Sequence, residues 1–308
     1  MLRYLLLCSA AFPATAGAIT IALEPLDQGA GGVGGSGLSS SQWAALQSAA
    51  AEWERDLPAY QSGITRGGVT VYAGASSFDG AGGTYAEATV LDTSFEAGFF
   101  LATAARVFLD AADAGSLEGA RLLQTVWRHE LGHALGFGTL WEFNGLVSAG
   151  TGRYYGPAGV AAFRAEFLAG ASYVPVELGG GPATRDLHWN EVDQGAGLTG
   201  ITDSLGRDFG HDLMSGWTGP DPSKIFLSNT TLRSFEDLGF TVVPEPKLSF
   251  CIISTLMLAL RRSNRPSRAK NIRKNPLAKR RSFASLAPQY FAIPHATPIS
   301  RLFLNSKS

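Results

Sequence analysis

Two histidines four residues apart, His129 and His133, with Glu130 between them, are the side chains of this sequence best suited to chemistry. In a helix, residues at i and i+4 lie one turn apart on the same face, so two imidazole nitrogens can reach one metal ion. Zinc suits such a pair. Glu130, next to His129, lies near enough to that face to hold a metal-bound water and take its proton as general base. The bland alternative, an ordinary amphipathic helix with two exposed histidines, is disfavoured by the residues around them.

Those residues must position the motif. Leu122, Leu123, Val126, Trp127, Leu131, Ala134 and Leu135 recur at intervals of three and four, which predicts a helix running through it. Ser116 is placed to cap that helix, with Glu118 in the first turn. Gly136 ends the regular pattern and Gly138 follows, so the chain can turn away sharply just after the second histidine.

With 308 residues, the chain can bury a sizeable core and needs only one main domain. Its net charge of -1 hides an asymmetry: all 26 acidic residues lie between Glu24 and Glu245, whereas 13 of the 25 basic ones follow residue 246. Setting Arg3 aside leaves 11 basic against 26 acidic residues in the body, a net charge of -15. Such a body argues against nucleic-acid binding. The two cysteines, Cys8 and Cys251, fall in apolar end segments, so the body has no disulfide framework.

Residues 1–18 read as a secretory signal: Arg3 supplies the positive start, Tyr4 to Phe12 the apolar run, and Ala14 to Ala18 the small-residue cleavage region. A strand over Ile19–Leu23 is followed by a glycine-rich loop, Gly29–Gly37, without the phosphate-loop pattern. Trp43, Leu46, Ala50, Trp53 and Leu57 predict an amphipathic helix over 39–57, stopped by Pro58. Short strands are expected at Val69–Tyr72, Ala88–Leu91 and Arg106–Leu109, and later helices at Ala158–Leu168 and Asn229–Leu238. In the last of these, Asn229 or Thr230 is the expected cap, and Gly239 stands just past the end. Strand, helix, several strands and then the histidine helix is an α+β order.

A catalytic zinc takes three protein ligands and leaves a fourth position open. The position six residues past His133 is Thr139, a poor zinc ligand, so the third must come from farther along. His188, in Leu-His-Trp-Asn-Glu, and His211 are the two candidates, because His295 lies in the basic tail. Asp203, Asp208 and Asp212 offer oxygen atoms of the kind calcium takes, although a run of acids reads first as a solvated loop.

The order of histidine helix, Gly136-Phe137 turn, inserted segment, His188-Trp189 and then Leu213-Met214-Ser215-Gly216 resembles the leishmanolysin-like branch of the metzincins. Val174–Glu191, Asp212–Trp217 and Leu232–Val242 extend the resemblance over most of residues 19–243. It implies a metzincin-type α+β zinc-protease domain with a mixed sheet, an active-site helix and a Met-turn. It also implies His188 as the third zinc ligand and Met214 as an apolar floor beneath the metal rather than a ligand, with proteins or peptides as substrates. The chain lacks the many cysteines of the protozoan members.

Residues 244–262, with Pro244-Glu245-Pro246, an apolar run from Leu248 to Leu260 and then Arg261-Arg262, resemble a PEP-CTERM sorting signal. That resemblance implies processing by an exosortase, membrane association through this segment, and a place in the cell envelope or outside a Gram-negative bacterium. The apolar run has 13 residues, fewer than the roughly 20 of a spanning helix. Residues 263–308 are basic and of disordered composition. The expectation is thus an exported zinc metalloendopeptidase. Its rivals are a surface-anchored binding or matrix protein that keeps the fold with non-catalytic zinc, and a zinc hydrolase acting on a non-peptide bond. Glu130 beside both histidines argues against the first rival, since a structural site has no need of a base.

Overall fold

The structure is a computed structural model that describes residues 18–191, 198–217 and 222–243. The secretory signal apart from Ala18, the sorting segment at 244–262, the basic tail, both cysteines and His295 lie outside the described residues. Among the described residues no helix is long and apolar enough to cross a membrane.

The first strands and helices build a mixed sheet covered by two helices. β1 (Thr20–Pro25) leads through the glycine-rich loop to α1 (Ser40–Asp56), and then come β2 (Ala59–Tyr60), β3 (Gly68–Ser76), β4 (Ala86–Glu96) and β5 (Phe99–Asp110). The sheet order is β1-β3-β5-β4; β1, β3 and β5 run parallel and β4 runs antiparallel along the edge. Alternation selects the inward side chains: Val69, Val71 and Ala73 of β3 and Ala105, Val107 and Leu109 of β5 are buried. The strands exceed the expected spans because β4 and β5 form one long hairpin. Its two-residue turn, Ala97-Gly98, has both φ angles positive (50° and 93°), the geometry that follows strand twist.

α1 begins with a capping box, in which Gln42 N–H donates to Ser39 Oγ (3.2 Å) and Ser39 N–H to Gln42 Oε1 (2.9 Å). It packs against the histidine helix through fully buried Trp53, whose indole N–H donates to the Arg128 carbonyl (2.7 Å). The expected single helix through the histidines is in fact two. α2 (Ala114–Ala120) ends at Arg121 in the left-handed region (φ 61°), and α3 (Leu123–Ala134) restarts behind it. Ser116 therefore caps nothing: it lies inside α2 and its hydroxyl donates to the Asp113 carbonyl (2.8 Å).

The later half surrounds an aromatic core. β6 (Arg153–Tyr154), α4 (Pro157–Glu166), β7 (Val174–Pro175), α5 (Asn229–Ser234) and β8 (Phe240–Thr241) are short elements joined by long loops. Phe137, Trp141, Tyr154, Trp189 and Phe209 are fully buried, with Trp141 and Trp189 ring centroids 4.8 Å apart. α4 and α5 cap each other. Asp237, just past α5, accepts the Ala158 and Gly159 N–H groups (both 2.9 Å) at the start of α4. Glu166, ending α4, accepts those of Asn229 (3.2 Å) and Thr230 (2.9 Å). The side-chain cap of α5 is Ser228 rather than Asn229 or Thr230, and the expected helix to Leu238 finishes as a separate 3-10 turn, Glu236–Leu238.

Candidate metal centre

α3 carries the first part of the centre because its apolar face is anchored. Leu123, Val126, Trp127, Leu131 and Ala134 are buried, and the helix packs on α1 and on strands β4 and β5. That fixes the direction in which His129 and His133 leave the helix. Gly136 (φ 113°) and Gly138 (φ 72°) then reverse the chain. A Cβ on Gly138 would stand 2.2 Å from the Leu187 carbonyl oxygen, so only glycine admits the segment that delivers His188.

The three histidines meet. His129 Nε2 lies 3.1 Å from His188 Nε2, and His133 Nε2 lies 3.0 Å from each of the other two. Every Nδ1 faces a backbone carbonyl: Leu213 O for His129 (2.7 Å), Phe137 O for His133 (2.8 Å) and Thr184 O for His188 (3.0 Å). A carbonyl can only accept, so each Nδ1 carries the proton and each neutral ring turns a bare Nε2 lone pair inward. The rings are held neutral. Burial lowers the pKa of all three, His133 is lowered further by the other two rings, and His188 is brought down to about 3 by burial and by His129.

Three converging lone pairs repel one another unless a cation lies among them. Their spacing fits such an ion: zinc–nitrogen bonds of about 2.0–2.1 Å in a tetrahedron set ligand nitrogens about 3.3–3.4 Å apart. Among the described residues this is the one group of histidine, cysteine and carboxylate side chains able to hold a metal ion. The carbonyl hydrogen bonds supply the outer shell that fixes tautomer and ring orientation. His211 is not part of the group; it ends a 3-10 turn begun at Phe209. Thr139 is no ligand either, and its hydroxyl donates to the His133 carbonyl (2.7 Å).

Glu130 is buried at 6% exposure, and no described residue hydrogen-bonds its carboxylate. Burial, helped by the charge of Glu87 on β4, pushes its pKa up to about 8. A cation nearby would act in the opposite direction.

Met214 lies beneath the helix. A Cβ on Gly132 would come within 2.8 Å of both its Sδ and Cε, so the glycine inside the motif makes room for the thioether. The turn bearing Met214 is tied to the segment bearing His188 by a buried relay. Trp189 indole N–H donates to Thr231 Oγ1 (2.7 Å), whose hydroxyl donates to Asp212 Oδ1 (2.7 Å). Asp212 Oδ1 also accepts the Met214 N–H (2.7 Å), and Trp189 N–H donates to the Met214 carbonyl (3.1 Å). One carboxylate thus holds both the turn that faces His129 and the segment that carries His188. Glu191, three residues past His188, is buried as well and takes the Gly216 N–H (3.0 Å). Burial and the charge of Glu177 raise it to about 8.

Asp212 is therefore a structural anchor, and its neighbours have similar duties. Asp208 accepts N–H groups from Thr199, Gly200 and Gly210, and Asp203 accepts from Leu205 and Arg207. The three carboxylates form no common site for calcium. Sequence reasoning missed the three carbonyls behind the histidines, which have no side-chain signature, and the Trp189–Thr231–Asp212 relay, whose members are up to 42 residues apart.

A groove of about 410 Å³ runs beside the centre, between Val90–Thr93 of edge strand β4 and Thr139, Phe143 and Leu187. Its wall carries exposed apolar side chains, Leu91 and Phe143. No protein-family model matches the chain, and no curated protein matches it.

Proposed function

We propose that this protein is an exported zinc metalloendopeptidase of the leishmanolysin-like metzincin kind, with His129, His133 and His188 as ligands and Glu130 as general base. The observation that carries the reading is the convergence of three neutral, outer-shell-fixed imidazoles beside a buried carboxylate that makes no hydrogen bond. Three nitrogen ligands leave one position of a tetrahedron open, as catalytic sites do and closed structural sites do not. Zinc bound there would acidify a water and polarise a carbonyl oxygen.

The remaining work falls to the chain itself. Glu130, held on α3 between the two histidines, takes a proton from the attacking water and returns it to the departing amine. Its burial excludes competing solvent. The unpaired outer edge of β4 offers backbone donors and acceptors to an extended peptide, and the groove behind it takes side chains. That edge favours a polypeptide over a small non-peptide substrate. Met214 serves as the apolar floor of the centre, the role the family resemblance gives it. We extend the proposal to export through residues 1–18 and to retention by the PEP-CTERM-like segment.

The test is cleavage of unfolded casein by the purified protein, with and without a zinc chelator, beside Glu130→Ala. Chelator-sensitive cleavage that the variant loses, while still binding one zinc, supports the reading. Full activity in the variant sinks the mechanism, and no cleavage by folded, zinc-loaded protein returns the argument to a binding or matrix protein.

A further inference from the structure

The groove beside the histidines opens onto a row of aromatic side chains that the proposed chemistry does not use. Part of its wall adjoins the centre: Thr139, whose hydroxyl holds the His133 carbonyl, and Leu187, which precedes His188. Another part, Phe143, leads away from it and is 65% exposed. From there the rings continue, with the Phe143 and Phe100 centroids 6.0 Å apart and those of Phe100 and Phe95 4.8 Å apart. Phe95 and Phe100 face each other across the β4–β5 hairpin close to its turn, and Phe95 is 62% exposed.

These rings are held in place. The Asn144 side chain pairs with β5 as a strand residue would: Phe100 N–H donates to Asn144 Oδ1 (2.9 Å), and Asn144 Nδ2 donates to the carbonyls of Phe100 (3.0 Å) and Leu140 (2.9 Å). The turn carrying Phe143 is thereby fixed against the strand carrying Phe100. The polar neighbours set the charge of whatever lies there. Asp92 lines the groove, Glu142 and Asp186 line an adjoining cavity of about 100 Å³, and no Lys or Arg lines either. Arg66, near the hairpin end, is already engaged with Ser94 Oγ (2.8 Å) and the Gly68 carbonyl (3.2 Å).

Exposed, preorganised rings continuous with a groove mark a place where a partner covers them. We infer that Phe95, Phe100 and Phe143 form a remote anchoring site, which takes a large apolar side chain of an extended, basic polypeptide lying along β4. An extended chain advances roughly 3.4 Å per residue, so Ala88 to Phe95 offers roughly 20–25 Å of strand edge. The anchored side chain therefore stands several residues away from the histidines, beyond those that flank the bond to be cut. It gains from apolar burial and from ring-to-ring packing. Lys or Arg beside it meets Asp92 and Glu142, whereas an acidic segment is repelled. The choice of a polypeptide as occupant rests on the peptidase reading, but its binding can be measured without turnover.

The experiment uses the full chain, loaded with zinc and carrying Glu130→Ala so that bound peptide stays intact. A fluorescein-labelled, unstructured peptide of about 20 residues, long enough to cover the whole edge, carries phenylalanine and lysine spaced among glycine and serine, and its Kd is read by anisotropy. Phe143→Ser and Phe95→Ser, both at exposed positions, should each raise Kd roughly tenfold with little change in Tm. A peptide with serine for every phenylalanine should bind as weakly and be indifferent to both substitutions. One with glutamate for every lysine should bind more weakly than the lysine peptide at low salt. No binding at about 1 mM peptide, an unchanged Kd in both variants, or equal losses with the phenylalanine and serine peptides overturns the site. Casein digestion with Glu130 intact separates the site from the peptidase reading: Phe143→Ser should raise KM and leave kcat unchanged. Phenylalanine-dependent binding without casein cleavage would keep the site and remove the peptidase, whereas cleavage with KM unmoved by Phe143→Ser would do the reverse.

Discussion

The two halves of the candidate metal centre are built by different means. His129, Glu130 and His133 fall within five consecutive positions of one helix, so the helical repeat brings them together once α3 is seated. His188 and Met214 arrive 55 and 81 residues after His133, on loops with almost no regular structure. What places them is a set of close approaches at Gly132 and Gly138, backbone carbonyls, and the Trp189–Thr231–Asp212 relay. The near half depends on periodicity, while the far half depends on tertiary contacts made one at a time. A substitution far from the histidines should therefore damage the far half alone.

The largest effect should come from the ligands themselves. His188→Ala should weaken zinc binding by more than about a hundredfold, beyond the loss expected from outer-shell changes, whereas His211→Ala should leave it within about twofold. Zinc titration against a fluorescent chelator would show which is the ligand, and equal losses would refute the three-histidine set. Gly138→Ala comes next. It puts a methyl group against the Leu187 backbone at a left-handed φ and should cost about 3 kcal/mol or more of stability, read as a drop in Tm with weakened zinc binding. Gly132→Ala, whose methyl meets the flexible end of the Met214 side chain at 2.8 Å and the Trp53 ring at 3.3 Å rather than backbone, should cost less, about 1–3 kcal/mol.

Thr231→Val sharpens the contrast further, because it touches no histidine. Without the hydroxyl, the buried Trp189 N–H loses its acceptor and Asp212 loses a donor. Zinc affinity should fall about 10–100-fold at little cost to helix content by circular dichroism. The smallest effect lies in the loop at 199–211. Burial alone would raise the Asp208 carboxyl, but hydrogen bonds from Gly210, Thr199 and Gly200 outweigh it and lower the pKa below the usual 3.8. A lowered carboxyl stabilises the fold above its unfolded pKa, and that stability is lost as pH falls through the folded value. Asp208→Asn should thus cost about 1–2 kcal/mol at pH 7 and progressively less below about pH 4, seen by comparing Tm against pH for both proteins.

This contrast also explains what could be read in advance. The α+β order, the capped helix over 39–57 and the near half of the centre follow from patterns with short periods, which a linear sequence displays. The break at Arg121 escapes such reasoning because the apolar spacing runs on through α2 and α3 while a single left-handed residue divides them. The far half was legible only through resemblance: nothing in the types of His188 and His211 distinguishes them, and the carbonyl of Thr184 that orients His188 has no signature at all. Asp203, Asp208 and Asp212 offer calcium-type oxygens within ten residues of sequence, but backbone and side-chain donors around them already occupy those oxygens, which a linear sequence does not display.

The edge strand β4 has one more consequence. A row of unpaired backbone groups that can receive a foreign strand is equally open to a second copy of the same strand, the usual beginning of edge-to-edge aggregation. Here Leu91 and Phe95 lie exposed on that strand, at 49% and 62%. Glu87, Asp92 and Glu96 are interleaved with them, and the register shifts between Val90 and Thr93 interrupt the regular ladder. The acids repel an identical neighbour, and the irregularity limits how long any strand can stay in register. Solubility and access to the groove are therefore set by the same eleven residues.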